Sequence, residues 1–285
     1  MEISFASRMT GAEDSFIREI LKVTVEPDII SFAGGLPNPN LFPVEAMAKA
    51  AEKIIRKEGR NVLQYSTTEG FLPLREYIAD RYLKTQGLEV SAENILIVNG
   101  SQQGIDLVSK VILNKGDTVL MEEPGYLGAI QAISLYEPEY ITVPLQDDGI
   151  DLELLEKALN SSNVKFMYTV PSFQNPSGVA YSTSKRKVVA ELVEKHGVVL
   201  LEDNPYGELC FSGNIKPPIK SYLGETSILM GSFSKITVPG IRLGWVYAED
   251  KVMQKLKIVK QAADLHSNYM AQRILYQFLI DNDLD

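Results

Sequence analysis

Apolar positions recur along this chain in two alternating ways. From about residue 94, short runs of consecutive apolar residues alternate with stretches in which apolar residues return every three or four positions. Short runs suit strands buried on both faces, and the longer-period stretches suit helices with one buried face. The pattern predicts strands over 95–98, 117–122, 139–143, 164–171, 198–203, 226–230 and 241–247. It predicts helices over 105–113, 127–136, 151–160, 183–195, 248–264 and 269–280. Strand–helix alternation of this kind builds an α/β fold, an open and mostly parallel sheet covered by helices on both faces.

The first third is less regular. Residues 12–23 place Phe16, Ile17, Ile20 and Leu21 on one helical face, with Ser15 and Arg18 three apart beside it. Residues 29–43 hold too much Gly and Pro for a helix or a central strand, and the pair Gly34–Gly35 lets a backbone approach a ligand closely. A helix is expected over 44–58, opening after Pro43 and ending at Gly59. A polar loop, Gln64 to Arg75, then leads into a helix over 72–86.

Composition narrows the function classes. At 285 residues the chain can hold one large α/β domain and part of a second. A net charge of −9 argues against a nucleic-acid surface, which needs clustered Lys and Arg. The single cysteine, Cys210, excludes an intrachain disulfide framework and fits a reducing compartment. No apolar run reaches signal-peptide or membrane-spanning length, so the cytoplasm is the expected location. His196, expected after a helix, and His266, expected on one, are isolated and read as structural, and Cys210 reads as buried filler. No metal site is expected.

The candidate chemistry centres on residues 231–245, G-S-F-S-K-I-T-V-P-G-I-R-L-G-W. Lys235 sits in a small-residue turn between two apolar runs, with Ser232, Ser234 and Arg242 around it. An amine held among hydroxyls and a guanidinium is what a Schiff-base cofactor carrying a phosphate requires. Upstream, the turn 99–104 (N-G-S-Q-Q-G) feeds a helix, so Ser101 and Gln102 can offer free N–H groups and a positive dipole end to an anion. Tyr126, after Pro124 and Gly125, can stack on a heteroaromatic ring, and Asn175, before Pro176, projects an amide out of its turn. Four apolar residues, 198–201, run into Glu202 and Asp203. A carboxylate at that depth needs a cationic partner, and ligands in open α/β sheets lie beyond such strand ends.

S-x-S-K followed by G-x-R-x-G-W resembles the pyridoxal-phosphate lysine motif of the class I/II aminotransferases of fold type I. The stretch F-A-G-G-L-P-N-P-N-L-F-P at 32–43 is similar to that of the subgroup containing the 2-aminoadipate and aromatic enzymes. The resemblance runs the length of the chain. It implies a mostly parallel seven-stranded sheet between helical layers, an N-terminal arm and part of a small domain over 1–45, a large cofactor domain over 46–265, and in 266–285 the start of the helix leading to a small C-terminal domain.

It also implies roles. Lys235 is the imine-forming and proton-moving amine, neutral through burial and the nearby Arg242. Asp203, chosen over Glu202 because D-x-x-Y is met by Asp203 and Tyr206, holds the pyridine nitrogen's proton. Tyr206 and Asn175 donate to the phenolic oxygen, and Tyr126 covers the ring. Ser101, Gln102, Ser232, Ser234 and Arg242 hold the phosphate, with Tyr65 reaching across a homodimer to the partner's. Gly35, Asn175, Ser15 and Arg18 face substrate, Arg18 favouring a distal carboxylate. The implied reaction moves an amino group between an L-amino acid (2-aminoadipate, glutamate, aromatic or branched) and a 2-oxo acid such as 2-oxoglutarate. A lyase on the same scaffold, an aminotransferase-like regulator and a non-catalytic ligand-binding protein are the alternatives.

Overall fold

The structure, a computed structural model, describes residues 3–9 and 35–284. The expected helix over 12–23, with Ser15 and Arg18, lies outside the described residues. Strands β1 (Ile95–Val98), β2 (Thr118–Glu123), β3 (Glu139–Gln146), β4 (Gly149–Ile150), β5 (Val164–Thr169), β6 (Val199–Asp203), β7 (Ser227–Ser232) and β8 (Gly244–Tyr247) join in one sheet. Their order is β1-β8-β7-β6-β5-β2-β3-β4. The β7-β6-β5-β2-β3 block is parallel, whereas β8 runs antiparallel to both neighbours. Among the described residues the sheet therefore has eight strands where seven are expected. The extra one, β4, is a two-residue return that pairs Leu145 with Ile150, too short to stand out as a pattern.

Helices α1 (Val44–Val62), α2 (Leu72–Gln86), α3 (Ser101–Ile112), α4 (Leu127–Ser134), α5 (Leu152–Ser161), α6 (Thr183–His196), α7 (Asp250–Asp264) and α8 (Tyr269–Asp281) complete the layers. Alternate strand residues feed opposite cores, as the pleat requires. Val98, Met121, Tyr168, Leu201 and Met230 pack with α3, α4 and α7. On the other face Leu120, Met167 and Leu200 pack with α5 and α6, while Ile97, Leu229 and Trp245 pack with α1, α2 and α8. Among the described residues no helix is long and apolar enough to cross a membrane.

Several boundaries differ from expectation for local reasons. Helix α1 continues past Gly59 because Ala50, Ile54 and Val62 share one buried face and Glu58 pairs with Arg273 of α8. Helix α3 starts at Ser101 rather than 105, so the predicted turn is the helix's own first turn. Strand β8 starts at Gly244 rather than 241, because Pro239–Ile241 forms a 3-10 turn and Arg242 is left-handed at φ 54°. His266 lies in the bend between α7 and α8, not on a helix. Its Nε2 accepts from the Ser66 N–H at 3.2 Å. Cys210 is not buried filler; it is partly exposed, with Sγ 3.2 Å from Ser212 Oγ.

Candidate active site

Strand polarity gathers the candidate residues at one rim of the sheet. The carboxyl ends of β1, β2, β5, β6 and β7 meet there. Because β8 is antiparallel, its first residue, Gly244, lies beside both Val98 and Ser232. The segment before β8, with Arg242, therefore arrives at the same rim.

Two glycines let backbones close in. A Cβ on Gly100, where φ is 76°, would lie 2.5 Å from Arg242 Nη2; one on Gly244 would lie 3.1 Å from the Ser101 nitrogen. The guanidinium thus rests against the start of α3, whose N-cap Gly100 offers no side-chain cap. Helix N-terminal N–H groups and a cation facing one space make an anion site. Arg242 Nη1 also donates to Ser234 Oγ at 3.4 Å, and Ser232 Oγ accepts the Ser234 N–H at 3.2 Å. The Gln102 side-chain amide is committed to the Gly128 carbonyl at 2.6 Å. Only its backbone N–H remains for an anion.

Asp203 closes β6 and is 2% exposed. Tyr168 donates its hydroxyl to Asp203 Oδ2 at 2.7 Å, while Oδ1 is buried without a partner among the described residues. Buried acceptors are nearly always paired, so an unmet carboxylate oxygen marks a place that lacks a donor. Burial, with a smaller push from Glu122, raises the Asp203 carboxyl to about 7, against the Tyr168 hydrogen bond, which lowers it. A protonated pyridine nitrogen is the N–H donor that Oδ1 lacks, so these residues fit pyridoxal phosphate.

Glu202 is the structural member of the acidic pair. It accepts the N–H groups of Ile219 and Lys220 at 3.1 and 3.0 Å, capping a short 3-10 turn, and Arg186 lies 3.7 Å away.

The remaining groups surround Asp203. Asn175 Nδ2 donates to the Tyr206 hydroxyl at 3.4 Å. Lys235 Nζ stands 5.8 Å from the Tyr206 ring centre. Lys235 is half-buried in the turn after β7, and burial alone lowers its pKa. Arg242 does not contribute, contrary to expectation. Burial pushes Tyr126 up to about 12, with Asp203 and Tyr206 adding and Arg242 opposing.

Tyr65 is not brought to this cluster by its own chain. It is 79% exposed and meets His266 edge-on at 5.9 Å. Gly35 is exposed at φ 54° with open space around it.

Two supporting residues escaped the sequence reading. Tyr168 lies inside an apolar run, where its only signal is that a buried phenol needs a partner. Glu122 accepts from Thr169, Tyr181 and the Val170 N–H, and so ties β2 to β5 beneath the Asn175 loop. Among the described residues no group of His, Cys, Asp or Glu forms a metal site.

Comparison with known proteins agrees with this geometry. The family model for aminotransferase class I and II matches residues 28–285. Aromatic-amino-acid aminotransferase 1 of Thermococcus litoralis is 41% identical over 99% of this chain and 69% of its own length. The 2-aminoadipate transaminase of Thermus thermophilus is 44% identical over 93% of this chain and 66% of its own. The chain thus spans about two thirds of the length of these relatives. The solved α-aminoadipate aminotransferase of Thermus thermophilus, complexed with N-(5'-phosphopyridoxyl)-L-leucine, superimposes with a TM-score of 0.89 at 41% identity, over 97% of this chain and 69% of that one. The chain belongs to the class I and II aminotransferase family, whose cofactor is pyridoxal phosphate.

Proposed function

We propose that the full-length protein transfers an amino group from an L-amino acid to a 2-oxo acid such as 2-oxoglutarate. On this reading it works in the cytoplasm as a homodimer with shared sites. The observation that carries the reading is the unpartnered Asp203 Oδ1, in a cluster that also holds Lys235, Tyr206 and Arg242. Bound pyridoxal phosphate supplies an aldehyde that captures the substrate amine and a ring that takes up the electron pair left at Cα.

Lys235 Nζ moves the proton. Ordinary lysine, near pKa ~10.4, holds its proton at neutral pH, and partial burial raises the neutral fraction that can act as a base. Asp203 Oδ1 would accept the ring N–H and keep it charged, while Tyr168 holds the other oxygen. The Tyr206 hydroxyl and Asn175 amide would hold the ring's oxygen, and Tyr126 would cover the ring. The N–H groups of Ser101 and Gln102, the hydroxyls of Ser232 and Ser234, and Arg242 hold the phosphate, with Tyr65 given to the partner's. The expected domain division is 1–45, 46–265 and 266–285. Helix α8 of the last segment packs on α1, through Lys53–Asp281 and Glu58–Arg273, so that segment lies against the start of the 46–265 domain.

The test is spectral. Amino acids added one at a time to the purified, cofactor-loaded protein are expected to bleach its visible absorption, and 2-oxoglutarate to restore it. Lys235→Ala is expected to lose that absorption while the protein stays folded. An unchanged visible band in Lys235→Ala sinks the reading.

Substrate choice is assigned to Ser15, Arg18, Gly35 and Asn175, with Arg18 reading a distal carboxylate as a bidentate fork. Replacing Arg18 with Ala is expected to cost glutamate and 2-aminoadipate about 1.5–3 kcal/mol in kcat/KM and to leave leucine nearly untouched. Equal losses for glutamate and leucine reduce Arg18 to a scaffold residue.

A further inference from the structure

Behind the anion-facing turn lies a buried polar cluster that none of this chemistry uses. Lys260, on α7, has a side chain with 0% exposure. Its Nζ donates to Gln103 Oε1 at 2.7 Å, Asp264 Oδ2 at 2.8 Å and Ser267 Oγ at 2.9 Å. Asp264 Oδ2 also accepts from Asn99 Nδ2 at 2.6 Å and Gln103 Nε2 at 2.7 Å. Gln103 Oε1 accepts a second bond, the Asn99 N–H, at 2.8 Å. Ser267 Oγ donates to the Ile97 carbonyl at 3.1 Å. Each of the three groups that Lys260 holds, Gln103, Asp264 and Ser267, belongs to or bonds residues 97–103, the stretch that carries the end of β1, the turn and the first turn of α3.

The cluster is costly where it stands. A buried ammonium forfeits its hydration, and an ion pair in such a place is seldom more stabilising than packed apolar side chains. Asp264 is the last residue of α7, where its charge meets the negative end of the helix dipole, and its Oδ1 is buried without a partner. What these residues provide is direction. Asn99 is held at both its backbone N–H and its side chain, one residue before the left-handed Gly100 against which Arg242 rests. A rotation there would turn the N–H groups of Ser101 and Gln102 away from the guanidinium.

We infer that Lys260, Asp264 and Gln103 are positioning residues for the cofactor's phosphate. They fix, through Asn99, the angle at which the start of α3 faces Arg242. This rests on the reading that those groups hold the phosphate.

The test compares full-length apoprotein with its Lys260→Met variant, using pyridoxal phosphate, pyridoxal and inorganic phosphate as probes. The variant is expected to bind pyridoxal phosphate and inorganic phosphate about tenfold more weakly, the equivalent of one hydrogen bond to a charged group. Its capture of pyridoxal, which has no phosphate, is expected to match the unaltered protein. A loss shared equally by pyridoxal, or no loss for either phosphate probe, overturns the inference. If Lys260→Met does not fold, Asp264→Asn, which keeps the shape and one acceptor oxygen, is read on the same three probes. Failure of the unaltered protein to capture either aldehyde would sink the aminotransferase reading itself, and is distinct from failure of this inference, which is read only from how Lys260→Met changes the phosphate probes relative to pyridoxal.

Discussion

Glu202 and Asp203 are consecutive, both fully buried and both acidic, yet the fold treats them in opposite ways. The pleat of β6 sends them to opposite faces. On one face Glu202 finds two backbone N–H groups and Arg186; on the other Asp203 finds one phenol and leaves an oxygen unmet. Burial raises the pKa of both, but Arg186 and two N–H groups oppose it for Glu202, against a single hydrogen bond for Asp203. A carboxylate whose partners are all in place serves the fold. One left short is reserved for something that arrives later.

The contrast can be broken from the Glu202 side first. Replacing Glu202 with Ala leaves Arg186 buried without its countercharge, and is expected to cost about 3–5 kcal/mol of stability. Denaturant unfolding measures it, and the folded fraction is expected to bind cofactor normally. Asp203→Asn is expected to do the reverse. It spares stability but slows the amino-group half-reaction about 10²- to 10³-fold, the range seen when one charge-stabilising group is removed. Single-turnover rates equal to those of the unaltered protein would end the distinction.

A subtler test uses pH. The folded apoprotein holds the Asp203 proton up to about 7, while an unfolded aspartate releases it near 3.8, so between those values the folded state binds more protons. Stability attributable to Asp203 is therefore fully present below the lower value and lost as pH rises through the upper one, on the order of 2–4 kcal/mol in all. Glu122 and Glu202 shift in the same direction, so thermal melts of Asp203→Asn and the unaltered apoprotein must be subtracted at each pH. Cofactor loading is expected to flatten the difference. Tyr168→Phe removes the bond that lowers the Asp203 pKa and is expected to move the window upward.

The same contrast shows how far the sequence could be read. The apolar run of β6 marked both carboxylates as buried, and the Lys235 turn announced its chemistry through local spacing. Which carboxylate faced the ligand came from family spacing, because the partner that settles it, Arg186, is sixteen positions away on another element. Tyr168 and the Lys260 cluster were illegible for the same reason, since each gains meaning from contacts across the sheet. Gly59 misled because the buried face of α1 outweighs the cost of one helical glycine, about 1 kcal/mol.

The antiparallel placement of β8 also bears on how the protein is assembled in time. Among the described residues strand β1 lies at the edge of the sheet and pairs with β8 alone, so Ile95 waits for Tyr247. Closing so long a stretch of chain is slow, since its entropy is lost before the contacts reward it. On a ribosome the start of α3 emerges long before Arg242 and the strand that brings it alongside. The phosphate cradle is therefore absent from the growing chain until the β8 segment has been made, and cofactor capture follows the formation of the sheet.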